Sequence, residues 1–282
     1  MDELFGTLKE GDRLGDYQIV SEIGRGGMSM VYKANYLVTN QARALKVLPP
    51  NSLAERVNAL KWEVDISRIV GEHPNLIKIF GCGEENGWIY LGMEYVNGKS
   101  LDSCVREGKK PSVRRAVEIS RDAACGLEHL HQKNVFHSDV KPGNIIVNDH
   151  VCLTDFGIAY DANRKLPECS KGSVMGTAYY IAPERVDKNG PAGPDARSDI
   201  YSLGATLYLA LTGATPFDCK PGIELLKKLI TSRPLSPLQR IEGINPLVDW
   251  LCMKAMEKNP DDRFQSAREF IEAADKLLNS SI

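Results

Sequence analysis

Residues 137–157 read HSDVKPGNIIVNDHVCLTDFG, and this stretch decides the fold. Two apolar runs, 144–147 and 150–153, are rich in β-branched residues and meet at Asn148-Asp149, the pattern of two short buried strands joined by a tight polar turn. A carboxylate borders each run. Asp139 stands five residues before Asn144, and Asp155 closes the second run, followed by Phe156 and the flexible Gly157. A hairpin would bring Asp139, Lys141, Asn144 and Asp155 to one edge. Oxygen donors beside a cation suit a hard ion such as Mg²⁺ and an attacking hydroxyl, which is what phosphoryl transfer needs. A surface hairpin with ordinary turn residues could carry any one of these side chains. The composite D-x-K-x-x-N followed by D-F-G is far more specific than its parts.

Working outward, the chain has 282 residues, 43% apolar and 26% charged, which fits a globular protein with ample core. Its length suggests two lobes or domains. A formal net charge of -2 gives no global pull toward nucleic acid or an anionic membrane. Seven scattered cysteines with no C-x-x-C argue against a disulfide framework or a zinc site, and for a reducing, cytoplasmic setting. The acidic start, MDELFGTLKEGDRLGD, lacks the basic and apolar regions of a signal peptide. Residues 1–16 are expected to be partly ordered at best. The apolar run 203–214 is too short for a bilayer span of ~20 residues and reads as a buried helix.

Between 17 and 47 the pattern alternates as in an antiparallel meander. Helical periodicity follows over 53–70, where Val57, Leu60, Val64 and Ile69 fall on one side and Gly71 and Pro74 end the run. Strands return over 76–95, and Asn97-Gly98 marks a hinge to a mainly helical remainder. There Ser112 caps a helix ending near Lys133-Asn134, residues 162–172 form a polar loop, and Ser198 or Asp199 caps a helix reaching Thr212-Gly213. Further helices are expected at 222–230, 246–256 and 266–278.

Gly24, Gly26 and Gly27 lie between two strands, where glycine lets backbone N–H groups approach phosphates closely. A dinucleotide fold would put such glycines between a strand and a helix, and a P-loop would continue as G-K-[ST]; neither pattern is present. Lys46 shares a strand face with Ala44 and needs a carboxylate partner, for which Glu63 on the next helix is the candidate.

With these motifs, residues 17–277 resemble the eukaryotic-type (Hanks-type) serine/threonine protein kinase family, and the glycine loop and YSLGATLY at 201–208 look most like its bacterial members. The resemblance implies an α+β, two-lobed protein kinase-like fold. Its parts would be an extension at 1–16, a β-rich lobe at 17–96, a mainly helical lobe at 97–277 and a tail at 278–282. It also implies an ATP-dependent serine/threonine kinase acting on protein substrates with Mg²⁺, or Mn²⁺ in its place, without nucleic acid or a membrane segment. By position, 24–31 would cover ATP, with Ile23, Gly24, Gly26, Gly27, Val31 and Ala44 against the nucleotide. Lys46 would contact the α/β-phosphates and pair with Glu63. Met93 would line the back of the adenine pocket, and the backbone of Glu94 and Val96 would bind adenine. Asp139 would orient the substrate hydroxyl and accept its proton, Lys141 would steady the γ-phosphate, and Asn144 and Asp155 would hold the metal. His137 and Phe156 would pack in a core spanning the lobes.

The resemblance also implies an ion pair of Glu184 with Arg263 and hydrogen bonds from the catalytic-loop backbone to Asp199. Lys141, two residues after Asp139, and Gly176-Thr177 go with Ser/Thr rather than Tyr substrates. A module that binds nucleotide and signals by conformation alone is the competing class, but Lys46, Asp139, Asn144 and Asp155 are all intact. A small-molecule kinase is a third; the segment 176–184 resembles a peptide-docking platform instead.

Three positions depart from the family pattern. Ser138 replaces the usual arginine that helps hold a phosphate on the activation segment, which implies activity that depends little on modification of Ser170 or Ser173. Ser29 stands where a third glycine often sits. Ser67, one turn after Glu63, replaces an apolar residue of the lobe-spanning core, which implies a weaker closure of the active arrangement.

Overall fold

The computed structural model describes residues 7–26, 29–164, 178–187 and 193–280. Gly27, Cys169, Ser170, Ser173, Gly176 and Thr177 lie outside the described residues. The chain adopts the expected α+β architecture in two lobes. The smaller is an antiparallel sheet of β1 (Arg13–Leu14), β2 (Tyr17–Arg25), β3 (Met30–Tyr36), β4 (Gln41–Leu48), β5 (Ile79–Glu85) and β6 (Trp88–Glu94), in the order β1-β2-β3-β4-β6-β5. The helix α1 (Ala54–Val70) joins β4 to β5. It stops at Gly71, whose φ of 71° favours glycine and whose N–H returns to the Ser67 carbonyl.

Alternation along β4 sorts its side chains. Leu45 and Val47 enter a core with Leu14, Ile19, Met30 and Tyr32, so Ala44 and Lys46 occupy the other face. Register extends that face across the sheet. Lys46 is opposite Val31, and Ala44 is opposite Met93. Within the N-terminal stretch, Arg13 and Leu14 belong to the sheet. β1 pairs with β2 and Leu14 is buried, because a single apolar side chain there completes the sheet's outer core.

The larger lobe contains α2 (Leu101–Arg106), α3 (Val113–His131), α4 (Ala196–Thr212), α5 (Ile223–Thr231), α6 (Pro237–Arg240), α7 (Pro246–Ala255) and α8 (Ala267–Leu278). Ser112 caps α3 by accepting from the Arg115 N–H, as expected. The cap of α4 is a correction. Asp195, not Ser198 or Asp199, accepts the Arg197 and Ser198 N–H groups. The apolar run that signals this helix begins one turn late, because its first turn carries polar groups turned toward other tasks. α4 is buried along almost its whole length, and Gly204 allows this: a Cβ there would lie 2.7 Å from the Cβ of Ala255. Short elements escaped the sequence pattern. α2, α6 and the two-residue strands β7 (Lys99–Ser100), β8 (Val135–Phe136) and β11 (Tyr160–Asp161) are too brief for periodicity to register.

Between the lobes lie β9 (Ile145–Val147) and β10 (Val151–Leu153), the predicted hairpin, with Val147 opposite Val151. β7 continues this small sheet along β9. Gly98 sits so close to it that a Cβ would meet the Val147 carbonyl oxygen at 2.7 Å, which ties the hinge to the hairpin. Elsewhere in the lobe, Arg263 is 2% exposed and grips Glu184 through both terminal guanidinium nitrogens, at 2.6 and 2.8 Å. Its remaining donors reach the carbonyls of Arg197, Glu257 and Lys258.

Removing one partner of such a pair strands a buried charge. Glu184→Ala should therefore cost about 3–5 kcal/mol of stability, read as a fall in the urea midpoint. Exposed pairs such as Arg106 with Asp102 should cost under about 1 kcal/mol when broken.

Candidate active site

The hairpin begins one residue later than its apolar pattern suggests. Pro142–Asn144 form a 3₁₀ turn and β9 starts at Ile145. The turn points the Asn144 side chain back at the loop before it: its amide nitrogen donates to the Asp139 carbonyl at 2.9 Å and to Asp139 Oδ2 at 3.1 Å. Lys141 Nζ donates to the same Oδ2 at 2.5 Å. Asp139 Oδ1 is buried and has no hydrogen-bond partner among the described residues. Thr154, at the end of β10, returns its N–H and hydroxyl to the Asn144 carbonyl. The sequence-derived edge therefore exists, with Asp139, Lys141 and Asn144 in direct contact.

The loop that carries Asp139 is held from below. Asp199 on α4 accepts the His137 N–H and the Ser138 N–H, each at 2.8 Å. It also bonds His131 Nε2 at 2.9 Å. Ser138 adopts φ 65° and Asp155 φ 72°, left-handed conformations that cost non-glycine residues free energy and persist only where surroundings enforce them. The Ser138 hydroxyl donates to the Phe136 carbonyl at 3.3 Å. His137 and Phe156 meet edge to face at 5.5 Å, both fully buried, and His137 Nε2 contacts the Thr154 carbonyl.

Across the cleft, Lys46 Nζ lies 2.8 Å from Glu63 Oε2 and 2.9 Å from Asp155 Oδ1. Burial works to lower the Lys46 pKa, but the carboxylates of Asp155 and Glu63 outweigh it and raise the value above the ordinary lysine range. Glu63 is 1% exposed, and burial raises its pKa against the pull of Lys46. Burial also acts to raise Asp155, yet Lys46 and Lys141 hold its carboxyl well below the usual range. Glu63 Oε1 further accepts the Phe156 N–H at 3.3 Å. The half-buried Ser67 lies one turn further along α1.

Three of the expected nucleotide-facing residues, Val31, Ala44 and Met93, share one face of the sheet with Lys46 by register, and Gly24 pairs with Val31. Ile23 is 46% exposed beside an irregularity between Glu22 and Gly24. The Gly26 N–H donates to the Ser29 carbonyl at 2.9 Å. At the hinge, the Glu94 N–H donates to the Lys78 carbonyl and the Gly98 N–H to the Val96 carbonyl.

The donor set fits a divalent ion bound jointly with phosphates. Among the described residues no group of three His, Cys, Asp or Glu forms a metal cluster. Asn144 and Asp155 offer a pair of oxygen ligands, and Mg²⁺ characteristically takes few protein ligands plus substrate phosphates. Because the Asn144 amide nitrogen is engaged by Asp139, its amide oxygen is the atom left to ligate.

Two contacts carried no sequence signal. His131 supports Asp199 from the end of α3, and the Trp62 indole donates to the Ala159 carbonyl at 2.8 Å. Both read in the sequence as ordinary helix residues.

A family model described as the protein kinase domain matches residues 17–278. A probable serine/threonine-protein kinase of Clostridium perfringens is 33% identical over 93% of this chain. The serine/threonine-protein kinase PknB of Mycolicibacterium smegmatis is 35% identical over 90% of it. The chain spans 38% and 41% of the lengths of these two relatives. The crystal structure of the PknI kinase domain of Mycobacterium tuberculosis superposes with a TM-score of 0.72 at 24% identity, covering 98% of this chain and all of that one. Among the described residues no helix is long and apolar enough to cross a membrane.

Replacing Lys46 with methionine removes the cation between Glu63 and Asp155, and leaves Asp155 alone with the nearby Lys141 charge. Glu63 then gains most by taking up a proton, and a folded-state pKa above the unfolded one contributes stability at low pH that is lost as pH rises through the folded value. The melting-temperature gap between wild type and Lys46→Met should therefore be wide at pH 8 and narrow toward pH 5. A gap that widens toward pH 5 contradicts this ordering of the pair.

Proposed function

The chain belongs to the protein kinase domain family, and from that premise we propose that it is a serine/threonine protein kinase, transferring the γ-phosphate of ATP to hydroxyls of protein substrates. One observation carries the reading. Asp139 has one oxygen fixed by Lys141 and Asn144 and the other buried without a partner among the described residues. An unpaired buried carboxylate oxygen is costly unless something arrives to use it, and a substrate hydroxyl is the complementary donor.

In this reading Asp139 Oδ1 accepts the hydroxyl hydrogen and aims the oxygen at the γ-phosphorus. As the new P–O bond forms and the β–γ bond breaks, the proton leaves with the aspartate side and ADP departs. Bound Mg²⁺, or Mn²⁺, would supply charge neutralisation between the β- and γ-phosphates. Asn144 and Asp155 would hold it. Lys46, kept cationic and oriented by Glu63, takes the α/β-phosphates, and Lys141 offsets charge developing on the transferred group. Val31, Ala44 and Met93 give an apolar slot for the adenine, whose edge meets the backbone of Glu94 and Val96. The Asp139-x-Lys141 spacing and the names of the relatives support Ser/Thr acceptors. The six described cysteines are all unpaired, in keeping with a cytoplasmic setting.

Asp139→Asn tests the assignment. Incubation with labelled ATP and Mg²⁺, followed by mass spectrometry of the chain and of a generic basic protein, should show transfer reduced about 10²–10⁴-fold, while nucleotide titration gives an unchanged affinity. Transfer that survives the substitution refutes the role of Asp139. A second measurement concerns Ser138, which offers no cation to a phosphate. Ser170→Ala with Ser173→Ala should retain turnover within about twofold of wild type, since no charge-assisted tie is lost.

A further inference from the structure

Trp62 and Glu63 are neighbours on α1, and both grip the same short turn. Glu63 Oε1 accepts the Phe156 N–H, and Trp62 Nε1 donates to the Ala159 carbonyl. The turn is closed by the Ala159 N–H donating to the Phe156 carbonyl at 3.0 Å. Phe156 and Ala159 are fully buried. Immediately beyond, β11 pairs with β8, Tyr160 opposite Phe136, and β8 leads directly into His137 and Asp139. The turn is thus the crossing point between α1 and the catalytic loop.

Successive residues on a helix point about 100° apart. One contact between α1 and the turn would leave the helix free to roll about its axis. Two contacts at that angle remove the roll. An indole N–H is a donor with no acceptor capacity, so its direction is set, and losing it would leave a buried carbonyl unpaired. The tie is also neutral. At position 138, where the family resemblance leads one to expect an arginine, there is a serine, and of the two ties from α1 to the segment after Asp155 the Trp62 bond is the one that carries no charge.

We propose that Trp62 is a positioning residue: its bond to Ala159 fixes the roll of α1, and so presents Glu63 to Lys46 and holds Asp155 in place. The inference rests on the kinase reading above and deepens it to how that site is kept assembled. Neither Trp62 nor Ala159 touches the reacting groups.

Trp62→Phe keeps ring burial and removes the donor. Wild type, Trp62→Phe, Glu63→Gln and the double variant are compared for kcat, KM for ATP and melting temperature, using Mg²⁺-ATP and a basic protein acceptor. Loss of one such bond predicts that kcat falls about 5–10-fold with KM for ATP within about twofold, because both arrangements bind nucleotide and only one transfers. In the Glu63→Gln background the same substitution should have little further effect, since both act through one geometry. Hydrogen exchange at residues 156–161 should rise in Trp62→Phe well beyond the rise elsewhere in the chain, with the melting temperature lowered by no more than a few degrees. Unchanged kcat and exchange overturn the proposal. So does a loss of activity that merely tracks a lower melting temperature and adds in full to that of Glu63→Gln. If wild type transfers no phosphate, the kinase reading fails, and the exchange measurement still decides the clamp.

Discussion

An ammonium group between two carboxylates, Lys46 with Glu63 and Asp155, is the interaction on which the arrangement depends. Each partner comes from a different part of the chain: a strand of the small sheet, the helix beside it, and the end of the inter-lobe hairpin. Taking any of these charges out of water is expensive, and a single ion pair often fails to recover that cost. Two carboxylates around one cation, one of them also accepting the Phe156 N–H, give the geometry and extra hydrogen bonds that make recovery feasible. Displacing α1 would strand Glu63 in an apolar setting, so electrostatics opposes disassembly of the site.

The lower half of the site rests on a comparable device. Asp199 is buried at 1% exposure inside an apolar helix, where its carboxylate has no water to bind and turns to the His137 and Ser138 N–H groups. Charge-assisted bonds of this kind are worth about 1.5–3 kcal/mol each, of the order of the 1–3 kcal/mol that a left-handed non-glycine residue costs. Ser138 can therefore hold φ 65°. Beyond that kink Asp139 meets Asn144, which bonds its carbonyl and Oδ2 and leaves Oδ1 without a hydrogen-bond partner among the described residues. His131, bonded to the same carboxylate, fixes the side on which it presents its oxygens.

What was legible in the sequence follows from how local each signal is. The hairpin, its flanking carboxylates and the long helices announce themselves by periodicity and by side chains that change type at the boundaries. Strand alternation and the next helix made Glu63 the candidate partner of Lys46, but each alone reads as an ordinary surface charge, and it took the downstream motifs to favour the pair. The Asp195 cap did not emerge, because the apolar run of α4 begins after a first turn whose residues serve other contacts: Ser198 bonds Glu184, and Asp199 the catalytic loop. The contacts of His131 and Trp62 join residues 68 and 97 positions apart. No neighbouring pattern marks them, since a tryptophan in a helix reads as core whether or not its N–H has an assigned partner.

Ser138 gains meaning when these contacts are considered together. An arginine there would place a cation beside the loop, and an ordered arrangement would then depend on an anion arriving to meet it. This chain fastens the same region by neutral and already satisfied bonds: the serine hydroxyl to the Phe136 carbonyl, the β8–β11 pairing, and the Trp62 indole to Ala159. None of these changes with the charge state of a loop residue. The half-buried Ser67 on α1 contributes less apolar contact than a larger side chain would, which increases the share of α1 positioning that must come from directional bonds. A site assembled this way is governed by the roll of one helix, and the residues that set that roll are Glu63 through charge and Trp62 through direction.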